Sequence, residues 1–126
     1  MEQRYSFSSD TDAKLFEFKM WGLWTPEEFE VFNQEFMAEV DHLSEECGNF
    51  YVLADVSEFP PQRGSVTEKL KGGMKYAFGK GLLKTARIVG PKLGELQLQR
   101  LSKQVDDPSR FGYFETREAA LEWLNE

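Results

Sequence analysis

Phe50-Tyr51-Val52-Leu53-Ala54-Asp55-Val56 is a run of strand length in which Asp55 is the only charged residue. A strand with one wet face alternates apolar and polar side chains, whereas a strand covered on both faces reads as a continuous apolar run. The run is therefore the interior strand of a parallel sheet and the centre of the domain. At 126 residues and 40% hydrophobic content, the chain has the size of one ordinary domain, able to bury a core without disulfides or a structural metal.

The flanking segments supply the rest of a layered fold. Tyr5-Ser6-Phe7 and Phe16-Glu17-Phe18-Lys19-Met20-Trp21 alternate like strands across the turn cluster Ser8–Asp12, which predicts an antiparallel hairpin ended by Gly22. Trp24-Thr25-Pro26-Glu27-Glu28-Phe29 marks a helix start three ways. Thr25 and Glu28 have capping-box spacing, Pro26 suits the first helical position, and Trp24 with Phe29 forms a hydrophobic staple. Phe29, Phe32, Phe36, Val40 and Leu43 then recur at helical spacing up to about Cys47, with Gly48 as the stop.

After the prolines of the Phe59–Gly64 loop, Ser65 and Glu68 have capping-box spacing at the start of a second helix, which Gly79 or Gly81 ends. Thr85–Gly90 reads as a strand, followed by Pro91, a helix through Leu96 to about Val105, and the turn Asp106-Asp107-Pro108. Arg110–Phe114 is a closing strand. It leads into a last helix capped by Thr116, with Glu118 near its N-terminus and Ala120, Leu121 and Leu124 on its apolar face. The order β-β-α-β-α-β-α-β-α predicts an α/β single domain, residues 1–126, with a mixed, mostly parallel sheet of about five strands and about four helices. Right-handed crossovers make the last four strands parallel neighbours. If every crossover helix covers one face, the other exposes Trp21, Tyr51 and Leu53, and a homodimer would bury that patch.

Charge is segregated along the chain. Residues 1–62 hold 3 Lys/Arg against 14 Asp/Glu, and residues 63–92 hold 8 against 1, within a total of −7. An acidic domain of this kind is not a nucleic-acid binder; its two halves are read as complementary solvated helices, and the basic segment could also attract an anionic ligand. No apolar run reaches the roughly 20 residues of a membrane span and the first residues do not read as a signal peptide, so a cytoplasmic protein without stable membrane insertion is expected. The single Cys47 excludes an internal disulfide framework.

The Trp24–Phe29 helix start, the strand Val52-Leu53-Ala54-Asp55-Val56-Ser57 and the terminal Arg110-Phe111 through Glu118-Ala119-Ala120-Leu121-Glu122-Trp123-Leu124 together resemble the SpoIIAA-like, or STAS-like, group. The resemblance covers nearly the whole domain. It implies a SpoIIAA-like fold and a small non-enzymatic cytoplasmic domain that binds a protein partner, a nucleotide or an apolar ligand. Members acting as anti-sigma-factor antagonists carry Asp-Ser-Ser-Gly after the central strand, with one serine phosphorylated. Here that stretch is Ser57-Glu58-Phe59-Pro60-Pro61-Gln62-Arg63-Gly64-Ser65, and only Ser65 lies near the expected helix start.

Candidate functional residues cluster at the expected carboxyl ends of the strands, where ligands of open α/β sheets sit. Trp24, Phe59 and Arg63 come from the loops there, with Asp55 and Ser57 at the end of the central strand. Ser65 and Lys69 open the following helix, and Arg87 lies in the next strand. Ser65 is the candidate phosphoacceptor, with capping as its competing role. His42 shares a helical face with Glu35, Glu39 and Glu46, which reads as solvated acid rather than a metal site, and no cofactor is implied. Lys80 in Gly79-Lys80-Gly81 lacks the spacing of a phosphate loop. The functional expectation is a non-enzymatic STAS-like regulatory or interaction domain binding a protein partner or small ligand near residues 57–75. The alternative is a carrier of an apolar carboxylate or lipid, with Arg63 or Arg87 on its head group.

Overall fold

A computed structural model describes the backbone of residues 3–90 and 92–126, and leaves the side chains of Lys92 and Leu93 undescribed. Pro91, expected between the fourth strand and the helix after it, lies outside the described residues. Strands β1 (Tyr5–Asp10), β2 (Leu15–Trp21), β3 (Phe50–Glu58), β4 (Leu82–Ile88) and β5 (Phe111–Phe114) form one sheet in that spatial order. The β1–β2 pair is antiparallel and the β2–β3, β3–β4 and β4–β5 pairs are parallel. Helices α1 (Pro26–Cys47), α2 (Gly64–Gly79), α3 (Lys92–Lys103) and α4 (Arg117–Leu124) follow β2, β3, β4 and β5. The sheet is mixed, mostly parallel, and β3 is its middle strand, as the unbroken apolar run requires.

Boundaries differ where local polarity misleads. β1 runs on to Asp10, and the turn falls at Thr11–Lys14, because the Asp10 Oδ1 accepts from the Asp12 and Ala13 N–H groups and fixes the bend after the strand. β3 continues past Val56 to Glu58, paired with Trp21. β4 starts at Leu82 instead of Thr85, and the closing strand starts at Phe111, since Pro108–Arg110 is a 3-10 turn.

The main core lies between the sheet and α1. Phe29, Phe32 and Phe36 of α1 meet Phe16 and Phe18 of β2, Phe7 of β1 and the Trp24 ring, with centroid separations of 5.1–6.0 Å. Each fully buried ring contributes roughly 1.5–3 kcal/mol through area alone, and each edge contact adds about 0.5–1.5 kcal/mol. The entry angle of α1 is set by the complete capping box, in which Glu28 N–H donates to Thr25 Oγ1 at 3.1 Å and Thr25 N–H donates to Glu28 Oε1 at 2.8 Å. The bond from the Thr25 N–H is the first cause holding the Glu28 carboxyl below its usual pKa; the Arg4 guanidinium beside it acts in the same direction. Lys69–Glu30 and Lys80–Asp41 ion pairs join the basic α2 to the acidic α1.

The last helix corrects the expectation of a bare sheet face. Leu53 and Ala86 on the face opposite α1 are buried by Ala120 and Leu124 of α4, with Tyr51 and Trp123 partly buried at the margin. Lys84 lies over the Trp123 ring at 4.9 Å, and Arg117 forks onto Glu17 with bonds of 2.7 and 2.9 Å. An apolar C-terminal helix folds back across β3–β5, so Leu53 offers nothing to a second subunit and Trp21 remains only half-buried.

Candidate functional site

The loops at the carboxyl ends of the strands are sewn together by one residue. Gln62, 6% exposed, accepts from the Trp24 N–H through Oε1 at 3.1 Å and donates through Nε2 to Gly22 O and Pro60 O at 3.0 and 2.8 Å. Its backbone forms a two-way pair with the Gln97 amide of α3, at 2.8 and 2.9 Å. Gly90 packs flat on this assembly, since a Cβ there would stand 2.1 Å from Ser57 O. This edge of the sheet is closed by hydrogen bonds, not left as a crevice.

Most of the candidate residues serve that closure. Trp24 and Phe59 are core residues, their rings 6.4 Å apart, and Trp24 Nε1 donates to Trp21 O. Asp55 Oδ1 accepts from both the N–H and the hydroxyl of Ser57, at 3.0 and 2.6 Å, which ends the strand. Lys69 is engaged with Glu30. Arg63 and Ser65 are exposed.

Ser65 does not cap its helix. α2 begins at Gly64 with Arg63 in the cap position and no side-chain cap bond, and the Val66 and Thr67 N–H groups both reach Arg63 O. Because Gln62 is pinned at both its side chain and its backbone, the chain turns helical two residues too early for Ser65 to take the cap. Thr67 instead donates back to Gly64 O at 3.0 Å.

Arg87 is different from the others. It is 4% exposed and, among the described residues, the only buried charged side chain. A guanidinium stays protonated and costs several kcal/mol to remove from water unless an anion faces it. Its partners here are neutral. Nη1 donates to Ser102 Oγ of α3 at 2.5 Å and to the Tyr113 hydroxyl of β5 at 3.1 Å, and Nη2 reaches Met74 Sδ of α2 at 2.8 Å. The Phe111 and Tyr113 rings lie 5.1 and 5.7 Å from its central carbon. Burial pushes its pKa down from the ordinary arginine value, with the Tyr113 hydroxyl opposing that shift. By contrast, Arg4, Arg110 and Arg117 each meet a carboxylate.

Two spaces adjoin this group. Arg87 and Thr85, on the same face of β4, line a cavity of about 40 Å³ between the sheet and α1 and α2, otherwise mostly apolar and including Asn33, Leu70, Met74 and Leu98. Its hydrogen-bond partners Ser102 and Tyr113 line a surface hollow of about 130 Å³ together with Lys103, Gln99, Pro108 and Phe111. The guanidinium lines the first space and its two hydroxyl partners line the second, so these three side chains lie between them.

Sequence reasoning singled out Arg87 but missed Gln62, Ser102, Met74 and Tyr113. The available signal was a cation inside the apolar strand segment Ala86-Arg87-Ile88; nothing local marks its partners, which lie 11–26 residues from one another or from Arg87. His42 and its acidic neighbours assemble no metal site, and no cluster of three or more metal-ligating side chains occurs among the described residues. No described helix is long and apolar enough to cross a membrane. No protein-family model matches the chain, and no curated protein matches it.

Proposed function

We propose that this chain is a non-enzymatic, STAS-like ligand-binding domain whose ligand is a small anion held at Arg87, inside the helical layer. The observation that carries this reading is the buried guanidinium with only neutral partners, set against a cavity. An anion would supply the missing charge. A uniquely buried, unneutralised cation is expensive to keep in a core, and such departures from good packing concentrate at functional sites. The polar groups elsewhere support a binding role over catalysis. Ser57 is bonded to Asp55 with no imidazole in the pair, and Cys47 is bonded to the Thr11 carbonyl. Among the described residues, the nucleophile, base and orienting group of an acyl- or phosphoryl-transfer site are not brought together.

Within this reading the 57–75 segment frames the site instead of forming the contact surface: Gln62 holds the loop shut, and Met74 of α2 touches the guanidinium. The test is thermal denaturation of the wild type and Arg87→Met across sodium acetate, benzoate, phosphate and chloride at matched ionic strength. At least one anion should raise the wild-type Tm and leave Arg87→Met unmoved. Identical anion responses in the two proteins would contradict the reading.

A further inference from the structure

The dimensions around Arg87 also select among anions, and on the reading that Arg87 is the anion site we infer that its ligand is a compact monocarboxylic acid of about benzoate size. It enters from the surface hollow by displacing the Ser102 and Tyr113 hydroxyls from the guanidinium. Three observations carry this. First, the internal cavity, about 40 Å³, is too small for an acyl chain, and water alone needs only on the order of 10–15 Å³ of such space. Second, the cavity and the 130 Å³ hollow are separated by Arg87 with its two hydroxyl partners. Joined, they give a site on the order of 170 Å³, close to the roughly 150 Å³ that accommodates one benzene ring in an apolar core. Lipids and long-chain acids need several hundred Å³ and do not fit.

Third, the chemistry of the lining fits a carboxylate with an apolar body. The Phe111 ring lies over the guanidinium and Met74 Sδ accepts from its Nη2, so Nη1 is the nitrogen that a carboxylate oxygen would meet, with Leu98 lining the cavity beside it. A phosphate dianion would need further donors deep in the site, where the wall of the cavity adds only Thr85 and Asn33 as polar side chains; Lys103 and Gln99 line the outer hollow. Ser102 and Tyr113 now occupy Nη1, the group a carboxylate would use. They can leave without becoming orphans: Tyr113 already donates to Ser102 Oγ at 3.3 Å, and Ser102 donates to Leu98 O at 2.8 Å. Their oxygens stand where those of the ligand would bind.

The displacement step gives the inference a signed test. Isothermal titration with benzoate, benzamide, decanoate and inorganic phosphate is run on the wild type, Arg87→Met and the double variant Ser102→Ala/Tyr113→Phe. Benzoate should bind one to one, while the neutral isostere benzamide, decanoate and phosphate should be at least tenfold weaker. Arg87→Met should lose roughly 100-fold in benzoate affinity, the worth of a charge-assisted pair. The double variant should bind benzoate about three- to tenfold more tightly, because the hydroxyls compete with the ligand. Weaker binding by the double variant would overturn the displacement route. Arg87-dependent binding of phosphate or decanoate with benzoate silent would overturn the ligand class and leave the anion site standing. No anion binding to the wild type or the double variant would overturn both.

Discussion

Replacing Arg87 by Met tests by its sign whether the guanidinium stabilises the fold or burdens it. Met is unbranched and of similar reach. In the structure the cation gains two charge-assisted bonds to hydroxyls, roughly 1.5–3 kcal/mol each, and two ring contacts of about 0.5–1 kcal/mol each. Against this stands a desolvation penalty of several kcal/mol with no carboxylate to offset it. The two sides nearly cancel. The substitution leaves no orphan, since Tyr113 and Ser102 keep each other and Leu98 O as partners, and it adds apolar surface beside the cavity. Arg87→Met should therefore equal the wild type or exceed it by about 1 kcal/mol, a rise of roughly 3–5 °C in Tm for a chain of this size. Arg110 is the control: it bonds Asp106 at 3.0 Å and Leu83 O at 2.9 Å, so Arg110→Met should lose about 1–2 kcal/mol. Urea denaturation followed by tryptophan fluorescence measures both. A loss of 3 kcal/mol or more in Arg87→Met, with an unchanged m value, would make Arg87 a structural keystone and refute the reasoning.

Three further outcomes follow from particular contacts. Gln62→Ala should cost roughly 2–4 kcal/mol in chemical denaturation, because it strands the Trp24 N–H and Gly22 O and frees three loops; a cost below about 1 kcal/mol would show that the loops hold without it. Gly90→Ala should cost roughly 2–3 kcal/mol by the same assay, since its Cβ meets backbone at Ser57 and no side chain can swing aside. Tyr5, whose hydroxyl donates to Glu35, has its pKa pushed up to about 12 by burial first and by that carboxylate second. Between pH 10 and 12 the unfolded chain has released the Tyr5 proton and the folded chain has not. Stability present below pH 10 is thus lost as pH rises towards 12, by on the order of 1–2 kcal/mol. The difference in stability between the wild type and Tyr5→Phe should narrow over that window, and a constant difference would show that Tyr5 is not held protonated.

The architecture was legible in the residues because it is written in local and periodic signals. The Thr25–Glu28 capping box, the Phe29–Leu43 stripe and the apolar Phe50–Val56 run each carry their own physical cause, and together they order the sheet. Where a local signal competes with a tertiary contact, the sequence misleads. Ser65 and Glu68 have the spacing of a cap, but the tertiary clamp at Gln62 starts α2 at Gly64 and takes that role away. The face covered by α4 was equally unreadable, because the final helix shows which of its sides is apolar but not which side of the sheet it will reach. The site itself was half visible. A cation within the Ala86-Arg87-Ile88 segment of β4 is conspicuous in one dimension. Its meaning comes from Ser102, Tyr113 and Met74, which three different elements deliver to it.

The most direct measurement of whether Arg87 binds an anion is NMR of its guanidinium. With 15N-labelled protein and Arg87→Met to assign the signal, the Arg87 Nε–H resonance is followed during titration with benzoate and, separately, with benzamide. A saturable shift with benzoate alone, tracking the calorimetric affinity, is the predicted result. An Arg87 signal that stays fixed while benzoate moves resonances elsewhere in the domain would contradict it.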